Sequence, residues 1–410
     1  MLNLNAGGRA AGQTHALWYS IFQAIENEHC LDLHYRATRT GLQDYDSIPN
    51  YKVMKQLALR NQLGLLYRPF IIFALVLIPT LAVFQWLLAI LVSATLSRRA
   101  SSATLHIIPT TPVNMGLIEA ALCADPILKD HTRDLDILRL GRLSRELGLS
   151  GVLLCIASHV RLLRHILLTN SGNRTDLLLH SRDAFVLLML VSYAQRHPNH
   201  VFATDDHYQR WAFLLSHYCE DFRIVQHGFL DLSIRFPHSF GVVQTVYVRD
   251  PIFVPEFATY YQIEESRAFS PVRYLAPNPF SESGLFLASS FPSIDEEIDF
   301  VRILKARRNV PIIVKFHPAH AYDARKQQLV ALASYVCSGD DHPACQMFIS
   351  NNSFMEFVYK ACGVPTFSIA HLGGPSEAVQ AILMLLDQHQ GCPVDPISIA
   401  PLPPISQNVK

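Results

Sequence analysis

The feature that most constrains the fold is an uncharged apolar run from residue 70 to residue 96, which reads FIIFALVLIPTLAVFQWLLAILVSATL. A helix needs about 20 predominantly apolar residues to cross the hydrocarbon core of a bilayer, so this run is long enough to enter a membrane. Core helices of soluble domains seldom extend so far without a charged residue. The sequence therefore predicts a membrane-embedded segment.

The orientation of this segment stays open at the level of sequence. Basic residues favour the cytoplasmic side of a membrane, and here they flank both ends, with Arg68 before the run and Arg98 and Arg99 after it. Pro79 lies within the run and can either kink a spanning helix or divide the run into a re-entrant or interfacial hairpin.

The remainder of the chain has the composition of a globular protein. Half of the residues (50%) are hydrophobic and 17% are charged, the reverse of a disordered chain. Lys+Arg and Asp+Glu both total 34, so the chain lacks the excess of basic residues that nonspecific electrostatic binding of nucleic acid requires. The eight cysteines are scattered without C-x-x-C spacing, which argues against a zinc ribbon and suits a reducing compartment. The N-terminus lacks the order of a signal peptide, and we expect the catalytic part to stay in the cytoplasm.

Apolar runs alternate with helical patterns after residue 100. Predicted strands fall at 103–110, 200–206, 223–228, 284–291, 310–318, 345–350 and 364–370. Predicted helices fall at 112–122, 183–197, 208–221, 294–308, 323–336, 353–363 and 377–390, and residues 151–158 fit either state. This alternation predicts an α/β fold with parallel, doubly wound sheets.

At 410 residues the chain is too long for one ordinary domain of roughly 100–200 residues. We predict two Rossmann-like domains facing a cleft. The expected division is an N-terminal region at 1–100 with the membrane segment, a first domain at 101–265, a proline-containing linker at 266–282, a second domain at 283–390 and an irregular tail at 391–410.

Ligands of open parallel sheets bind beyond the carboxyl ends of the strands, and three short polar motifs fall at such ends. The first is Gln226-His227-Gly228. A neutral imidazole at a strand end can act as a general base near neutral pH, and a glycine lets the backbone turn close to a substrate. The alternative is a structural histidine in a turn.

The second motif is Lys315-Phe316-His317-Pro318. Lys315 and His317 alternate with Phe316 along a strand, so both point to one face, while Pro318 stiffens the turn that follows. An imidazole and an ammonium group there suit the phosphate of a nucleotide. The alternative is a strand end with a solvated lysine and a capped histidine.

The third motif is S-N-N-S-F-M-E at residues 350–356. Ser350, Asn351 or Ser353 can cap the following helix, and Glu356 completes an S-x-x-E capping box with Ser353. Free amides and hydroxyls at a helix start also form an anion site, so capping and ligand binding can coexist.

The order of these motifs, Q-H-G, then K-F-H-P, then S-x-x-S-x-x-E followed by G-V-P, resembles GT-B glycosyltransferases of bacterial surface-polysaccharide synthesis. These include capsule and Kdo transferases, CDP-glycerol glycerophosphotransferases, and bacterial sialyl- and polysialyltransferases. The resemblance spans residues 103–370. Together with the predicted membrane segment, which is not general among these families, it implies a membrane-associated enzyme at the cytoplasmic face of the inner membrane, with no cofactor and no bound metal. The donor would be a CMP- or CDP-activated sugar or polyol phosphate, and the acceptor a surface polysaccharide or lipid-linked glycan.

The same resemblance implies roles for the residues of the second and third motifs. His317 and Pro318 would contact cytidine and phosphate, with Lys315 beside them. Glu356 would hold a ribose or sugar hydroxyl. The residues expected at the donor phosphate are Ser350, Asn352 and Ser353. The turn at 363–365, G-V-P, matches the end of the helix in this family.

One departure leaves the catalytic base open. The sialyltransferase branches carry an acidic motif that ends in glycine, whereas this chain has Asp205-Asp206-His207. The base is therefore either His227 or a carboxylate at Asp205 or Asp206. Two other functions also stay open: a nucleotide-sugar epimerase or hydrolase, and a non-catalytic membrane-anchored subunit of a polysaccharide assembly or export machine.

Overall fold

The computed structural model describes residues 17–39, 64–95, 104–109, 114–128, 133–134, 139–169, 174–205, 207–270, 275–280, 284–290, 293–317, 323–337, 341–351 and 353–388. Within these residues the chain forms two compact units. The elements between residues 17 and 267 belong to the first unit, and those between residues 268 and 388 belong to the second.

The first unit contains a six-stranded sheet in the order β2-β1-β3-β4-β5-β6. Its strands are β1 (Leu105–Ile108), β2 (Arg133–Asp134), β3 (Val201–Thr204), β4 (Asp221–Val225), β5 (Val242–Val248) and β6 (Gln262–Ala268). The four pairings from β2 to β5 are parallel. The register aligns Ile108 with Thr204 and Thr204 with Ile224, so these strands end at one edge of the sheet.

Eight helices accompany this sheet among the described residues. They are α1 (Leu17–Arg39), α2 (Tyr67–Thr95), α3 (Met115–Cys123), α4 (Leu140–Leu168), α5 (Arg174–His180), α6 (Ala184–Arg196), α7 (Arg210–Tyr218) and α8 (Val254–Ala258). Helix α6 forms the centre of the core. Ten of its eleven residues from Ala184 to Ala194 are buried, among them Phe185, Leu188 and Val191, which have no exposed surface.

A buried carboxylate joins strands β4, β5 and β6. Asp125 is bound by Arg223 at 2.7 Å, by the Tyr247 hydroxyl at 2.5 Å and by Arg267 at 2.5 Å. Burial raises the pKa of Asp125, but the Tyr247 hydrogen bond and the two arginines outweigh it and lower the pKa below its ordinary value. A charge buried in this way is stable only because it is paired and hydrogen-bonded, so the network ties three strands to the end of α3.

The second unit contains a five-stranded parallel sheet in the order β11-β10-β7-β8-β9. Its strands are β7 (Leu285–Ser289), β8 (Ile312–Phe316), β9 (Tyr335–Cys337), β10 (Met347–Ser350) and β11 (Thr366–Ser368). Its helices are α9 (Ile294–Arg307), α10 (Ala324–Leu332), α11 (Met355–Ala361) and α12 (Pro375–Gln388).

Alternate residues of the central strand β7 enter two separate cores. Leu285 and Leu287 pack with residues of α9 and α12, whereas Phe286 packs with Val358 and Tyr359 of α11. Because successive side chains of a strand point to opposite faces, the sheet is covered by helices on both sides. This is the doubly wound layering that the alternating sequence predicts.

The predicted α/β class with parallel sheets is confirmed, with one open assignment decided and one correction. The chain at 151–158, which fits either state by sequence, lies inside helix α4. The predicted helix at 323–336 is wrong in its last turn. The helix stops at Leu332, Ala333 is extended, and Tyr335–Cys337 pairs with β8 as strand β9. Tyr335 and Val336 favour a strand, and edge pairing with β8 outweighs continuation of the helix.

Three helical segments of the described residues are long and apolar enough to cross a membrane by length and composition: Leu77–Thr95, Leu140–Leu168 and Asp176–Arg196. The first belongs to the predicted membrane segment. Helix α2 continues through Pro79, so of the two alternatives left open at this residue the run is not divided there. The second is kinked at Gly148, whose φ of 63° lies in the left-handed region that glycine adopts readily.

The turn at Gly363, predicted from G-V-P, is a Schellman motif. Gly363 has a φ of 74°, its N–H binds the carbonyl of Lys360 at 3.0 Å, and the N–H of Val364 binds the carbonyl of Tyr359 at 3.0 Å. These two bonds satisfy carbonyls that the end of α11 would otherwise leave without partners.

We expect Gly363→Ala to lower the free energy of unfolding by about 1–2 kcal/mol, because a Cβ is strained in the left-handed region. Gly116→Ala is the matched control: Gly116 lies in helix α3 with nothing within 4 Å of a Cβ, so this change should stabilise by about 0.5–1 kcal/mol. Chemical denaturation of both variants measures the difference. Equal effects of the two substitutions would contradict the assignment.

Candidate active site

Two polar sets lie at the carboxyl edges of the two sheets, and each is described within its own unit. In the first unit, Asp205 directly follows β3 and His227 lies two residues after β4, the neighbouring strand. The Asp205 side chain is fully buried and accepts a short hydrogen bond from the side-chain amide of Asn114, at the start of α3. The His227 side chain is 37% exposed.

The tautomer of His227 follows from the contact of its ring with a backbone carbonyl. Its Nδ1 lies 2.5 Å from the carbonyl oxygen of Asp205, and since a carbonyl only accepts, Nδ1 must carry hydrogen. The Nε2 of the neutral ring then has its lone pair free to take a proton. The Asp205 carboxylate lies 3.7 Å from Nδ1, where its charge stabilises the imidazolium that results.

A second imidazole supports this arrangement. The ring of His207 stacks on that of His227 with 4.2 Å between centroids, and its Nε2 accepts the backbone N–H of His227 at 3.2 Å. His207 is buried, and desolvation followed by repulsion from His227 holds its pKa well below the ordinary value. His207 is therefore a neutral acceptor that fixes the backbone at His227.

The Gln226 side chain holds the same loop. It is fully buried, its amide nitrogen donates to the carbonyl of Gly228 at 3.3 Å, and its oxygen accepts the backbone N–H of Arg249 at 3.0 Å. A Cβ at Gly228 would meet nothing within 4 Å among the described residues. The loop is thus fixed on its inner side and has space beside Gly228.

In the second unit, the predicted serines form a chain of hydrogen bonds after β10. The Ser350 hydroxyl accepts the backbone N–H of Ser353 at 3.4 Å, and the Ser353 hydroxyl accepts the backbone N–H of Met355 at 3.3 Å. The N-cap residue of α11 is Phe354, without a side-chain cap hydrogen bond, so the predicted cap by Ser353 is wrong. Both hydroxyls act as acceptors here. That of Ser353, which is half-buried, keeps its hydrogen to donate to a ligand, whereas Ser350 is fully buried.

Asn351 joins three strand ends of this sheet. Its side-chain nitrogen donates to Glu296 at 2.8 Å, and its side-chain oxygen accepts the backbone N–H of Ala370 at 2.8 Å. Glu296 lies in the first turn of α9, after β7, and Ala370 follows β11. Asn351 therefore fixes the loops around the serines.

Glu297 is a buried acid at the same edge. The Ser289 hydroxyl donates to it at 2.5 Å and the backbone N–H of Ser290 at 3.1 Å. Burial, which outweighs these hydrogen bonds, raises the pKa of Glu297 to about 7. The group therefore holds the loop after β7 while taking up a proton near neutral pH.

The second predicted motif is only partly described. His317 follows β8, and its backbone N–H binds the carbonyl of Ser289 at 3.2 Å. The residue has exposed surface, and the partial burial of its imidazole lowers its pKa. The Lys315 ammonium donates to the carbonyl of Asp341 at 3.0 Å. The predicted roles at Asp206, Pro318 and Asn352 lie outside the described residues. Glu356 is half-buried in the first turn of α11.

Sequence reasoning placed His227 and Asp205 at one sheet edge and the serines, Lys315, His317 and Glu356 at the other. It missed Asn114, His207, Glu296, Glu297 and Ser289. Of these residues, Asn114 is the one that a sequence signal could have found, because it directly precedes a helix that follows a predicted strand. Among the described residues, no three His, Cys, Asp or Glu side chains converge as a metal site would require.

Comparison with known proteins adds no family. A scan of the chain against models of protein families finds no match, and a search of curated proteins finds none.

We expect Glu297→Gln to stabilise the protein in a pH-dependent manner. Wild-type Glu297 keeps its proton up to a pH of about 7, whereas in the unfolded chain it is lost near 4.5, so wild-type stability falls as the pH rises between these values. The neutral amide can bind both serines and avoids this loss, which reaches about 3 kcal/mol above pH 7.

Urea unfolding at pH 5 and pH 8 measures this effect. The variant should gain little over the wild type at pH 5 and most at pH 8. Asp299→Asn, which removes an exposed carboxylate from the same helix, serves as the control and should leave the pH dependence unchanged. An equal gain for Glu297→Gln at both pH values would show that Glu297 is charged in the folded protein.

Proposed function

We propose that this chain is a membrane-associated glycosyltransferase of the GT-B type. It would move a sugar or polyol phosphate from a CMP- or CDP-activated donor to a surface-polysaccharide or lipid-linked glycan acceptor. The observation that carries the proposal is His227, whose Nδ1 is bound to a backbone carbonyl beside a buried carboxylate at a strand end. The order of the three motifs, which resembles this enzyme class, supports it.

The proposed reaction begins at the acceptor hydroxyl. His227 Nε2 takes its proton, the oxygen forms a bond to the transferred carbon or phosphorus, and the bond to the nucleotide phosphate breaks with its electron pair leaving on the phosphate. The Asp205 carboxylate, 3.7 Å from Nδ1, stabilises the imidazolium. In the GT-B arrangement that we propose, the first unit supplies this base and the second binds the donor.

The burial of Asp205 favours His227 as the base. The Asp205 side chain has no exposed surface, and its carboxylate binds the amide of Asn114. A general base must come within hydrogen-bond reach of the hydroxyl that it deprotonates. Asp205 is therefore a positioning residue in this proposal, acting through the charge that it places beside His227.

The donor site rests on hydroxyls and cations. Ser353 is half-buried and has a hydrogen to donate to a phosphate, whereas Ser350 is fully buried and holds the backbone of Ser353. Lys315 and His317 lie at the end of β8, which the central strand β7 separates from β10. Helix α11 has only seven residues, so a helix dipole adds little. Hydrogen bonds that strengthen as charge develops on the departing phosphate supply a large part of catalysis in such sites.

We expect His227→Ala to lower turnover by about 10²–10⁴-fold, with little effect on donor affinity. His227→Gln, which can still donate to the Asp205 carbonyl but cannot act as a base, should be equally slow. Asp205→Asn should cost less, about tenfold, because the backbone contact at Nδ1 remains. The measurement is release of CMP or CDP by the purified protein with acceptor present, with the melting temperature of each variant as a check of folding.

A larger loss in Asp205→Asn than in His227→Ala would move the base to the carboxylate. Nucleotide release without acceptor would favour a hydrolase, and no release with any CMP, CDP or UDP donor would favour a non-catalytic subunit.

We expect His317→Ala to weaken donor nucleotide binding roughly ten- to a hundred-fold, since a hydrogen bond to a charged group contributes about 1.5–3 kcal/mol. Ser353→Ala should act in the same direction and also destabilise the start of α11 by about 1 kcal/mol. Arg307→Ala, which removes an exposed cation at the far end of α9, is the control and should leave affinity unchanged. Calorimetric titration with CMP measures the nucleotide affinity of each variant. Unchanged affinity in a folded His317→Ala protein would remove His317 from the site.

A further inference from the structure

The three apolar helices differ in what they expose. Most of Asp176–Arg196 is buried in the first unit, so it is a core segment. Helix α2 instead has an outward face of large apolar side chains, among which Phe84 is 62% and Leu87 is 61% exposed. Helix α4 also has such a face, between Leu149 and Val160, where Leu154 is 61% exposed.

Helices α2 and α4 pack against each other. Ile78, Ala82 and Ala89 form the buried side of α2, spaced by about one or two helical turns. The indole N–H of Trp86 donates to Nδ1 of His159 on α4 at 3.0 Å. Helix α4 is in turn part of the first unit, where Cys155 lies 3.3 Å from Ser192 of the core helix α6. Helix α2 is thus attached to the α/β unit between Ile78 and Ala89.

This attachment bears on whether helix α2 crosses a membrane or lies in its plane. Trp86 lies three residues beyond the middle of the uncharged run 70–96, so a crossing helix would place Trp86 about 5 Å from the bilayer centre. His159 would lie beside it. At 1.5 Å per residue, Arg161 and Arg164 would follow about 3 Å and about 8 Å further along α4. Arginines near the centre of the hydrocarbon are strongly unfavourable, so this helix pair opposes a crossing orientation.

An in-plane orientation satisfies the same residues. Exposed apolar side chains of α4 lie on both sides of Arg161 and Arg164, from Leu149 to Val160 before them and at Leu167 and Leu168 after them. The uninterrupted stretch from 149 to 160 is too short to cross, a length typical of interfacial segments. Arg161 and Arg164 are exposed directly after it and can reach the phosphates of lipid headgroups. Helix α2, which packs against α4, has an uncharged exposed face of its own between Leu77 and Leu91.

We propose that the chain is monotopic, with α2 and α4 lying in the plane of one leaflet of a bilayer that contains anionic lipids. The outward apolar side chains of both helices enter the acyl region, and Arg161 and Arg164 contact headgroup phosphates. The proposal rests on the membrane association in the proposed function and adds its topology and the second helix. It does not depend on the transferase reaction.

The topology is tested by cysteine accessibility in sealed vesicles. Full-length Leu65→Cys and Thr95→Cys proteins are bound to preformed phosphatidylglycerol/phosphatidylcholine vesicles, isolated by flotation and treated with a membrane-impermeant maleimide. Leu65 is 97% exposed just before α2, and Thr95 is exposed at its end. Labelling at each introduced position is read by peptide mass spectrometry before and after lysis with detergent.

The monotopic arrangement predicts that both positions are labelled before lysis. Protection of one position until lysis would show that α2 crosses the bilayer and would overturn the proposal. The assay contains no donor or acceptor, so its outcome and that of the turnover assay are independent.

The surface itself is tested by substitution. Leu87→Glu on α2 and Leu154→Glu on α4 should each weaken vesicle binding about tenfold or more, because an exposed leucine that enters lipid is replaced by a charge. The control is Val330→Glu, on an exposed position of α10 in the second unit, which should bind as the wild type. The double variant Arg161→Gln, Arg164→Gln should lose about tenfold on phosphatidylglycerol vesicles and little on pure phosphatidylcholine.

Wild-type binding by Leu154→Glu would remove α4 from the surface and overturn the proposal. The rival occupant is a second copy of the chain. If Leu87→Glu converts a dimer into a monomer by light scattering while vesicle binding is unchanged, the two helices form an oligomer interface instead.

Discussion

Parallel strand pairing is the constraint on which the candidate site depends. Because β1, β3 and β4 pair in register, Ile108, Thr204 and Ile224 end at the same level, and the residues after each strand meet at one edge. Asp205 and His227 are 22 positions apart in the chain and are brought into contact by this pairing alone. The second sheet repeats the arrangement, with Ser350 aligned between Ala288 and Ser368. In both units, the backbone hydrogen bonds of the sheet bring the polar side chains at the strand ends together.

Strands and their order of alternation with helices were predictable because each strand is a short apolar run bounded by polar residues. The same signal fails where a run is part of something longer. Residues 151–158 are apolar enough for a strand, and only their place in the 29-residue helix α4 decides the matter. It fails again at Tyr335–Cys337, where a strand follows a helix without a glycine or proline between them. Tertiary pairing with β8 determines both the end of α10 and the state of the residues after it.

The site was predictable in its strand-end residues but not in the residues that support them. The contact of Asn114 with Asp205 joins positions 91 residues apart, and no local sequence pattern predicts which residue Asn114 will contact. Glu297 reads in the sequence as one of three acids in the first turn of α9, where acids are common because they oppose the helix dipole. In the structure it points inward to Ser289 instead. Burial, which determines its pKa, is a property of the packed unit and not of the sequence around it.

The way in which His227 is held separates two roles that a carboxylate often combines. In a catalytic triad, the acid both orients the imidazole and stabilises its charged form. Here the backbone carbonyl of Asp205 binds Nδ1 at 2.5 Å, while the carboxylate of the same residue lies 3.7 Å away and is held by Asn114. Orientation therefore comes from the backbone of the strand end, and charge stabilisation comes from the side chain. Because strand pairing fixes that backbone, the tautomer of His227 follows from the register of the sheet, and we expect a change of the carboxylate alone to leave the imidazole in place.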